Sequence, residues 1–250
     1  KQNPVANWFT EIPSTIKYEN LQARTNDFDR QLLLPGALSY NSPCMTSYDL
    51  NNDGLEDMII GGAAGQGTGV FIQQKNKGFV LQNIPAFEKD KACEDASIAV
   101  LDANADGKPD IYIASGGYHN FLPNDSLLQD RLYLNDGRNN FIRSNGLPKI
   151  EGSKSCVRVQ DINADGSPDL FVGGRVIPGR YPEPAKSYIL INDGKGNFSD
   201  QTGNICPDLN RPGMITDAAW IDLDLDKQNE LVIVGEWMPV TVFKIEKGKL

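Results

Sequence analysis

The sequence is poor in the residues that most enzymes use for nucleophilic or zinc-assisted chemistry. Its 250 residues include one histidine, His119, and four cysteines. Because no serine or cysteine nucleophile motif accompanies that histidine, the sequence does not indicate a catalytic triad. The cysteines form no CxxC pair and no Cys/His cluster, so they do not indicate a zinc site. These absences favour a protein that is not an enzyme.

Long apolar runs and an excess of positive charge are also absent. No apolar stretch approaches the roughly eighteen residues of a transmembrane helix, so we predict no membrane span. The formal net charge of −9 argues against a nucleic-acid-binding surface. The first residues, KQNPVANWF, contain no signal-peptide core and no initiator methionine. We expect the chain to be a segment of a longer protein.

A nine-residue motif that occurs four times is the main feature that the sequence does have. The copies are DLNNDGLED from Asp49, DANADGKPD from Asp102, DINADGSPD from Asp161 and DLDLDKQNE from Asp222. Their first residues lie 53, 59 and 61 positions apart. A period close to sixty residues is typical of a repeat architecture. The motif therefore predicts a fold built from four similar units.

Each copy places oxygen-bearing side chains at positions 1, 3, 5 and 9, which is the spacing of a calcium-binding loop. Calcium prefers six to eight oxygens from carboxylates, amides and backbone carbonyls. Glycine at position 6 permits the sharp turn, after which the carbonyl of position 7 faces the ion. The predicted ligands are Asp49, Asn51, Asp53, the Leu55 carbonyl and Asp57; Asp102, Asn104, Asp106, the Lys108 carbonyl and Asp110; Asp161, Asn163, Asp165, the Ser167 carbonyl and Asp169; and Asp222, Asp224, Asp226, the Gln228 carbonyl and Glu230.

Two other interpretations of the motif are weaker. An EF-hand needs a glutamate at position 12 and flanking helices, whereas position 12 here lies in a short β-branched run and is Ile60, Ile113, Val172 or Ile233. A plain polar turn leaves the clustered carboxylates of four in-phase copies to repel one another. We therefore predict Ca²⁺ as the cofactor. Calcium loops of this weak class work where calcium is plentiful, which favours an extracellular, cell-surface or periplasmic location.

The fourth loop departs from the other three at two kinds of position. Its ligand set contains four carboxylates, and added ligand charge should strengthen calcium binding. Lys227 replaces the glycine at position 6, and a non-glycine residue in the left-handed region costs about 1–2 kcal/mol. We expect this loop to bind calcium too, and we expect Lys227→Gly to tighten that binding.

The segments around each loop alternate in the manner of antiparallel strands. In the second repeat, Ala96–Asp102 leads into the loop and Asp110–Ser115 leaves it, and two further strands follow a long connection. Four antiparallel strands per unit describe a propeller blade, so we predict an all-β propeller with four four-stranded blades. A single domain, 1–250, would hold blades at about 41–83, 94–145, 153–200 and 214–250, and residues 8–12 could supply an outer strand that closes the last blade.

The cysteines are a poor guide to compartment or cross-links. Four of them allow three disulfide pairings, and the sequence does not choose among these. Only two share a position relative to the motif, five residues before its first aspartate. We favour buried free thiols at all four sites, which are Cys44, Cys93, Cys156 and Cys206.

The motif and its flanking strands resemble the FG-GAP/VCBS repeats, which also occur in integrin α-subunit propellers. Three further segments, Phe28–Pro35, Met58–Gln66 and Leu190–Thr202, resemble large bacterial secreted or surface proteins that carry VCBS repeats beside an ASPIC/UnbV domain. The resemblance covers about residues 9–246 and implies calcium-binding propellers of seven or eight blades. We therefore expect the four blades to be an arc of a larger propeller, with exposed blade faces that favour a dimer.

Function is less visible in the sequence than fold. The strand order places the four loops on one face of the propeller and the second-to-third strand connections on the opposite face. Aromatic and basic residues of those connections are candidates for stacking on a sugar or anchoring a protein partner, although packing between blades would explain them equally well. They are Tyr118, His119, Phe121, Arg175, Arg180, Tyr181 and Trp237.

Two functions are compatible with these sequence features. The favoured one is a non-enzymatic, calcium-binding extracellular propeller that binds a protein or a glycan. The alternative is a polysaccharide-acting enzyme, or an accessory domain of one, because a pair of carboxylates is enough for glycoside cleavage. Among the acids outside the loops, four remain unassigned and are candidates for that pair: Glu94, Asp95, Asp217 and Glu236.

Overall fold

The fold is a series of antiparallel sheets that follow one another along the chain. The computed structural model describes residues 9–10, 13–40, 43–75, 78–138, 140–246 and 248–250. The first two sheets contain β1 (Met45–Tyr48), β2 (Asp57–Ile60), β3 (Gly69–Gln74) and β4 (Gly78–Gln82), then β5 (Glu94–Leu101), β6 (Asp110–Gly116), β7 (Arg131–Asn135) and β8 (Phe141–Arg143). The last two contain β9 (Ser153–Gln160), β10 (Asp169–Val176), β11 (Tyr188–Asn192) and β12 (Phe198–Asp200), then β13 (Met214–Ile221), β14 (Glu230–Glu236) and β15 (Thr241–Phe243).

Helical structure is confined to short segments between these strands. The three α-helices of the described residues have four or five residues each, and they are α1 (Asp27–Arg30), α2 (Pro85–Lys89) and α3 (Thr202–Ile205). Two 3₁₀ turns span Ser126–Leu128 and Pro207–Asn210. The protein is therefore an all-β protein, as predicted.

In every sheet the strands pair with their sequence neighbours, as in a meander. Three sheets have four strands in chain order, and the last sheet has the three strands β13, β14 and β15. The sequence predicts the outer strand of that sheet from residues 8–12 and not from the chain after β15. After β15 the chain turns back in an isolated bridge between Glu246 and Lys249, and the Leu250 N–H donates to the Ile205 carbonyl. The suggested closing strand 8–12 lies mainly outside the described residues.

The hydrophobic core is divided into layers between consecutive sheets. Ile59 and Val70 of the first sheet pack with Ile111 and Tyr133 of the second. A second layer joins the second and third sheets, with Tyr112, Leu132, Val157 and Leu170 among its members. A third layer joins the third and fourth sheets, with Phe171, Ile189, Ala218 and Leu231 among its members. Sheets packed face to face in this way are arranged like the blades of a propeller.

The outer faces of the first and last sheets are less well covered than the middle of the molecule. β6 and β10 are buried at every residue, whereas β1 is mainly exposed. Large apolar side chains of the two end sheets are exposed to solvent, and they include Met45, Val80, Leu81, Ile221 and Val242. Each middle sheet has a neighbour on both sides, which explains why β6 and β10 are buried along their whole length.

The segment before the first sheet packs across the connections of the other sheets. The Tyr18 hydroxyl donates to the Gly61 carbonyl at 2.7 Å, next to the first sheet. Farther along, Leu34 and Leu38 pack into a cluster with Tyr118, Val176, Tyr181 and Met214. This cluster lies where the second-to-third strand connections emerge. The segment therefore covers part of the face opposite the motif loops.

The cysteines are free thiols in the structure, as predicted. Cys93, Cys156 and Cys206 are buried and Cys44 is partly buried. Burial raises the pKa of the Cys156 thiol to about 11 and that of the Cys44 thiol to about 12. Thiols held protonated in this way are poor nucleophiles.

No helix of the described residues is long and apolar enough to cross a membrane.

Candidate metal centre and the opposite face

The four motif loops have the same internal hydrogen bonds. In the first loop, the Asp53 N–H lies 3.0 Å from both Asp49 Oδ1 and Asn51 Oδ1, and the Gly54 N–H donates to Asp49 Oδ2 at 2.8 Å. The Leu55 N–H then donates to Asp53 Oδ1 at 2.9 Å. The same four contacts recur in the other loops, with lengths of 2.8 to 3.3 Å. The side chains of positions 1, 3 and 5 are therefore gathered around one backbone turn.

The aspartate at position 9 forms the buried floor of each of the first three loops. Asp110 is 0% exposed, and its Oδ2 accepts from the Ala103 N–H at 3.0 Å. Its Oδ1 accepts from the Asn135 N–H of β7 at 2.8 Å. Asp57 and Asp169 make the equivalent pairs of bonds. Each carboxylate therefore ties its loop to the third strand of the sheet, and a carboxylate oxygen that accepts one hydrogen bond can still face a cation.

Neighbouring loops lie beside one another at one end of the sheets. The Asn192 side-chain amide of the third sheet donates to the Ala103 carbonyl in the second loop at 2.9 Å. Asn229 of the fourth loop donates to Gln160 Oε1, at the end of β9, at 3.0 Å. Every motif loop connects the first and second strands of its sheet. The loops therefore share one face, and the second-to-third strand connections emerge on the other.

The donor chemistry fits a hard divalent cation. Each predicted ligand set consists of oxygen donors, with two exposed or half-buried carboxylates at positions 1 and 5 above the buried acid at position 9. In the fourth loop, one carboxylate oxygen from each of Asp222, Asp224 and Asp226 lies within 4.8 Å of the others. Calcium accepts such oxygen sets, whereas zinc prefers nitrogen and sulfur. When bound, the ion would neutralise these carboxylates.

Acid should weaken calcium binding at the second loop. Burial raises the pKa of Asp110 to about 6, and the nearby Asp106 and Asp102 charges raise it further against the lowering effect of its backbone hydrogen bonds. Because calcium needs the ionised carboxylate, a proton competes at any pH below about 6. Calcium titrations of the Asp106→Asn variant and of the parent at pH 7.5 and pH 5.5 are the measurement. The difference in calcium affinity between the parent and Asp106→Asn reports the second loop. This difference should be smaller at pH 5.5 than at pH 7.5, and an equal difference at both pH values would contradict the prediction.

The loops contain a left-handed position that the sequence pattern did not predict. Position 6 has positive φ as predicted, with φ 78° at Gly107 and 72° at Lys227. Position 4 is also left-handed, with φ 57° at Asn52 and 63° at Leu225. Asparagine tolerates this region, but a leucine there is strained. Two strained residues therefore lie close together in the fourth loop, against none in the first.

Relieving this strain should stabilise the protein. Leu225 is 85% exposed, so replacing it with glycine removes almost no packing. We expect Leu225→Gly to raise the free energy of unfolding by about 0.5–1 kcal/mol, because the relieved strain exceeds the entropy that glycine adds to the unfolded chain. Asn52→Gly is the matched control, and its effect should be near zero or unfavourable. Urea unfolding of both variants tests this, and a destabilised Leu225→Gly would count against it.

Three of the seven residues proposed for the opposite face, Tyr118, His119 and Phe121, take part in packing. Tyr118 and Phe121 are 1% and 2% exposed, and the Tyr118 hydroxyl donates to Gln31 Oε1 at 2.7 Å. Arg30 donates to the carbonyls of Tyr118 and His119 at 2.5 and 2.6 Å. The His119 ring lies 3.4 Å from the buried Asp27 carboxylate. These contacts hold the N-terminal segment against the second sheet, and the sequence pattern does not predict them.

Three of the proposed residues do come together, around Glu236. Arg175 donates to Glu236 Oε1 at 2.5 Å, and the Tyr181 hydroxyl donates to Glu236 Oε2 at 3.0 Å. The Trp237 indole N–H in turn donates to the Tyr181 hydroxyl at 2.9 Å. Trp237 is 72% exposed and has φ 59°, a left-handed conformation that is costly for a bulky residue. The network holds a large aromatic ring in solvent. Arg180 is apart from it, beside Glu183.

The acids that the alternative enzyme function would need already have partners. Asp95 is paired with Arg131, Asp217 with Arg158, and Glu236 with Arg175. Glu94 is also engaged in an interaction. Three of these carboxylates are already bound to an arginine, which leaves them less available to a substrate. The structure therefore gives no support to a glycosidase pair among these four residues.

The loops and sheets described above define a repeat protein built from blade-like sheets. Comparison with known proteins agrees with this fold. The family model described as FG-GAP-like repeat matches residues 49–113, 102–172 and 161–233. The chain therefore belongs to the FG-GAP-like repeat family. No curated protein matches it.

Similarity to solved structures is distant. One match is a lectin of Agrocybe aegerita, studied for its specific recognition of non-reducing terminal N-acetylglucosamine. The match covers 83% of this chain and 67% of the lectin, with 13% sequence identity and a TM-score of 0.33. A TM-score of that size does not establish a shared fold.

Proposed function

We propose that the protein is a calcium-stabilised propeller module, with its motif loops on one face and a ligand-binding surface on the other. The observation that carries the proposal is the repetition of one loop geometry four times, each time with three converging acidic or amide side chains above a buried acid. Calcium in these loops would lock the hairpin of every sheet and, in the first three sheets, the bond from the position 9 aspartate to the third strand. The chain's acidity and the weak class of loop suit a calcium-rich place outside the cytoplasm, at the cell surface or in the periplasm.

We also propose that the four sheets are consecutive blades of a larger propeller. In support, the inner strand β1 is mainly exposed, whereas β5 and β9 are largely buried between their neighbours. Further blades on the open faces would bury the apolar side chains of the end sheets, and a second copy of the chain would do the same by forming a dimer. The approximate blade boundaries remain those proposed from the sequence.

The ligand in this proposal is a glycan or a protein that contacts Trp237. An exposed indole held by a hydrogen-bonded network is suited to stack on a sugar ring or to anchor a partner, because little freedom is lost on binding. The Tyr181 and Glu236 side chains beside it offer hydrogen bonds. The module itself would carry out no reaction.

A binding screen with matched variants tests this function. The parent protein, Trp237→Ala and Trp237→Phe would be screened on glycan arrays and against extracellular protein libraries, each with calcium and with chelator. We expect a ligand whose affinity falls about tenfold or more in Trp237→Ala, equivalent to about 1.4 kcal/mol. Trp237→Phe should retain most of the affinity because it keeps the aromatic face. A ligand that binds all three proteins equally would exclude Trp237 from the site.

A further inference from the structure

The fourth loop differs from the others because a lysine from outside the loop contacts two of its carboxylates. In the second loop, Lys108 contacts only the Asp106 carboxylate among the described residues, at 3.2 Å. Lys244 Nζ lies 2.5 Å from Asp224 Oδ2 and 2.7 Å from Asp226 Oδ2. It is also 4.0 Å from Glu230 Oε1. The ammonium group thus contacts or faces three of the four carboxylates that the sequence assigned to calcium in this loop.

Strand register shows that this lysine stands at an aliphatic position. Phe243, just before Lys244, pairs with Leu231 of β14. In the second and third sheets the equivalent pairs are Tyr133 with Ile111 and Leu190 with Leu170. The residues that follow those partners are Leu134 and Ile191, and the first sheet has Ile72 at the same place. Lysine at this position is therefore particular to the fourth sheet.

The buried acid at position 9 of the fourth loop also makes different hydrogen bonds from the acids at position 9 of the other loops. In the other loops, one oxygen of the position 9 aspartate accepts from an N–H of the third strand. In the fourth loop, Glu230 Oε2 accepts from the Leu223 N–H at 2.8 Å, but the buried Oε1 has no hydrogen-bond partner among the described residues. Glu230 is 4% exposed, so this oxygen is removed from water as well. An orphaned buried carboxylate oxygen is costly unless a cation faces it.

We infer that Lys244 is a built-in counter-ion that holds the fourth loop in its folded shape without calcium and competes with calcium for the same carboxylates. This inference rests on the proposed calcium function of the loops. An ammonium group and a calcium ion cannot both occupy the carboxylates of Asp224 and Asp226, so calcium must displace the lysine. The Lys244 side chain is 37% exposed, which lets it swing into solvent when displaced.

This competition reverses an expectation drawn from the carboxylate count. Four carboxylates alone would make the fourth loop the tightest site. With Lys244 present, the cost of breaking its two ion pairs offsets part of the free energy of calcium binding. The fourth loop should therefore bind calcium more weakly than the others and depend on it less for its shape.

The test is Lys244→Met, with Lys149→Met as the matched control. Lys149 pairs at 3.0 Å with Glu151, which is outside the motif loops, and its side chain is 77% exposed. Isothermal titration would measure calcium binding, and thermal unfolding would be followed in chelator and in saturating calcium. Lys244→Met should bind calcium at its weakest site about three- to tenfold more tightly than the parent. It should also melt below the parent in chelator and recover in calcium, while Lys149→Met matches the parent.

Further variants separate the possible outcomes. Asp226→Ala added to Lys244→Met should remove the gained affinity, because the gain belongs to the fourth loop. If the first three loops bind calcium and Lys244→Met leaves the weakest site unchanged or weaker, the competition is refuted and the proposed function stands. If the parent and Lys244→Met both bind no calcium, the proposed function fails and the competition fails with it. Should Lys244→Met fail to fold in calcium, Lys244→Gln would replace it, and an unfolded Lys244→Gln would also refute the competition.

Discussion

Removing calcium is expected to lower the melting temperature of this protein by about 5–11 °C. Calcium at about 100 times its dissociation constant stabilises the folded state by about 2.7 kcal/mol for a single loop. For a chain of this length, each kcal/mol corresponds to about 2–4 °C. This shift is calculated for one loop occupied by calcium. It would be larger if several occupied loops unfold together. Differential scanning calorimetry with and without chelator is the measurement.

The buried floors of the loops explain why the effect should be large. Without calcium, burial and the nearby Asp106 and Asp102 charges disfavour the ionised form of Asp110 and raise its pKa. Because Asp110 also bonds to the third strand, loosening the loop affects the sheet and not only the turn. Loss of calcium should therefore shift the whole unfolding transition.

Two aspartate variants, one in a motif loop and one outside the loops, provide the control for this result. Asp136 forms a turn outside the motif loops in which Oδ1 accepts from the Arg138 N–H at 2.8 Å, much as the loop aspartates do. Asp106→Asn should reduce the calcium-dependent part of the stability, whereas Asp136→Asn should leave it intact. Equal losses of calcium dependence in both variants would mean that the aspartates act only through turn geometry.

The second large effect is expected at a buried ion pair of the second sheet whose aspartate also contacts the first sheet. Arg131 donates to Asp95 Oδ1 at 2.6 Å, and both side chains are 2% exposed. The other Asp95 oxygen accepts from the Gly62 N–H at 2.7 Å and from the Thr68 hydroxyl at 2.6 Å. One carboxylate thus joins an arginine of the second sheet to the backbone of the first. Asp95→Ala leaves a buried guanidinium without its counter-ion, which should cost about 3–5 kcal/mol.

Three variants measured by urea unfolding test this ion pair. Lys91→Ala breaks an exposed pair with Glu88, whose side chains are 51% and 59% exposed, and should cost no more than about 1 kcal/mol. Adding Arg131→Met to Asp95→Ala removes the unpaired charge and should recover part of the loss. If Asp95→Ala costs no more than Lys91→Ala, the pair does not hold the first sheet against the second.

Local chemistry explains which parts of this structure could be predicted from the sequence. The motif loops were predictable because aspartate, asparagine and glycine at fixed spacing favour one turn whatever surrounds it. The strands were predictable because apolar runs such as Asp110–Gly116 adjoin those turns. Both features depend on residues that are neighbours in the chain.

Contacts between distant residues explain what could not be predicted. Lys244 lies 20 residues after Asp224, and only the pairing of β14 with β15 brings it to the loop. Gln31 of the N-terminal segment and Tyr118 are 87 residues apart, so the sequence offered packing as one role for Tyr118 but did not show its partner. The left-handed Leu225 was a local feature, but the motif marks only position 6 with glycine and leaves position 4 unmarked.

The number of calcium ions bound per chain decides whether the motif loops are metal sites. Equilibrium dialysis of the protein at increasing calcium, up to about 1 mM, would be followed by measurement of bound calcium against protein. We predict that one ion fills each of the first three loops, and that a fourth ion binds at a higher concentration. Fewer than one ion per chain at the highest concentration would contradict the calcium function of the loops.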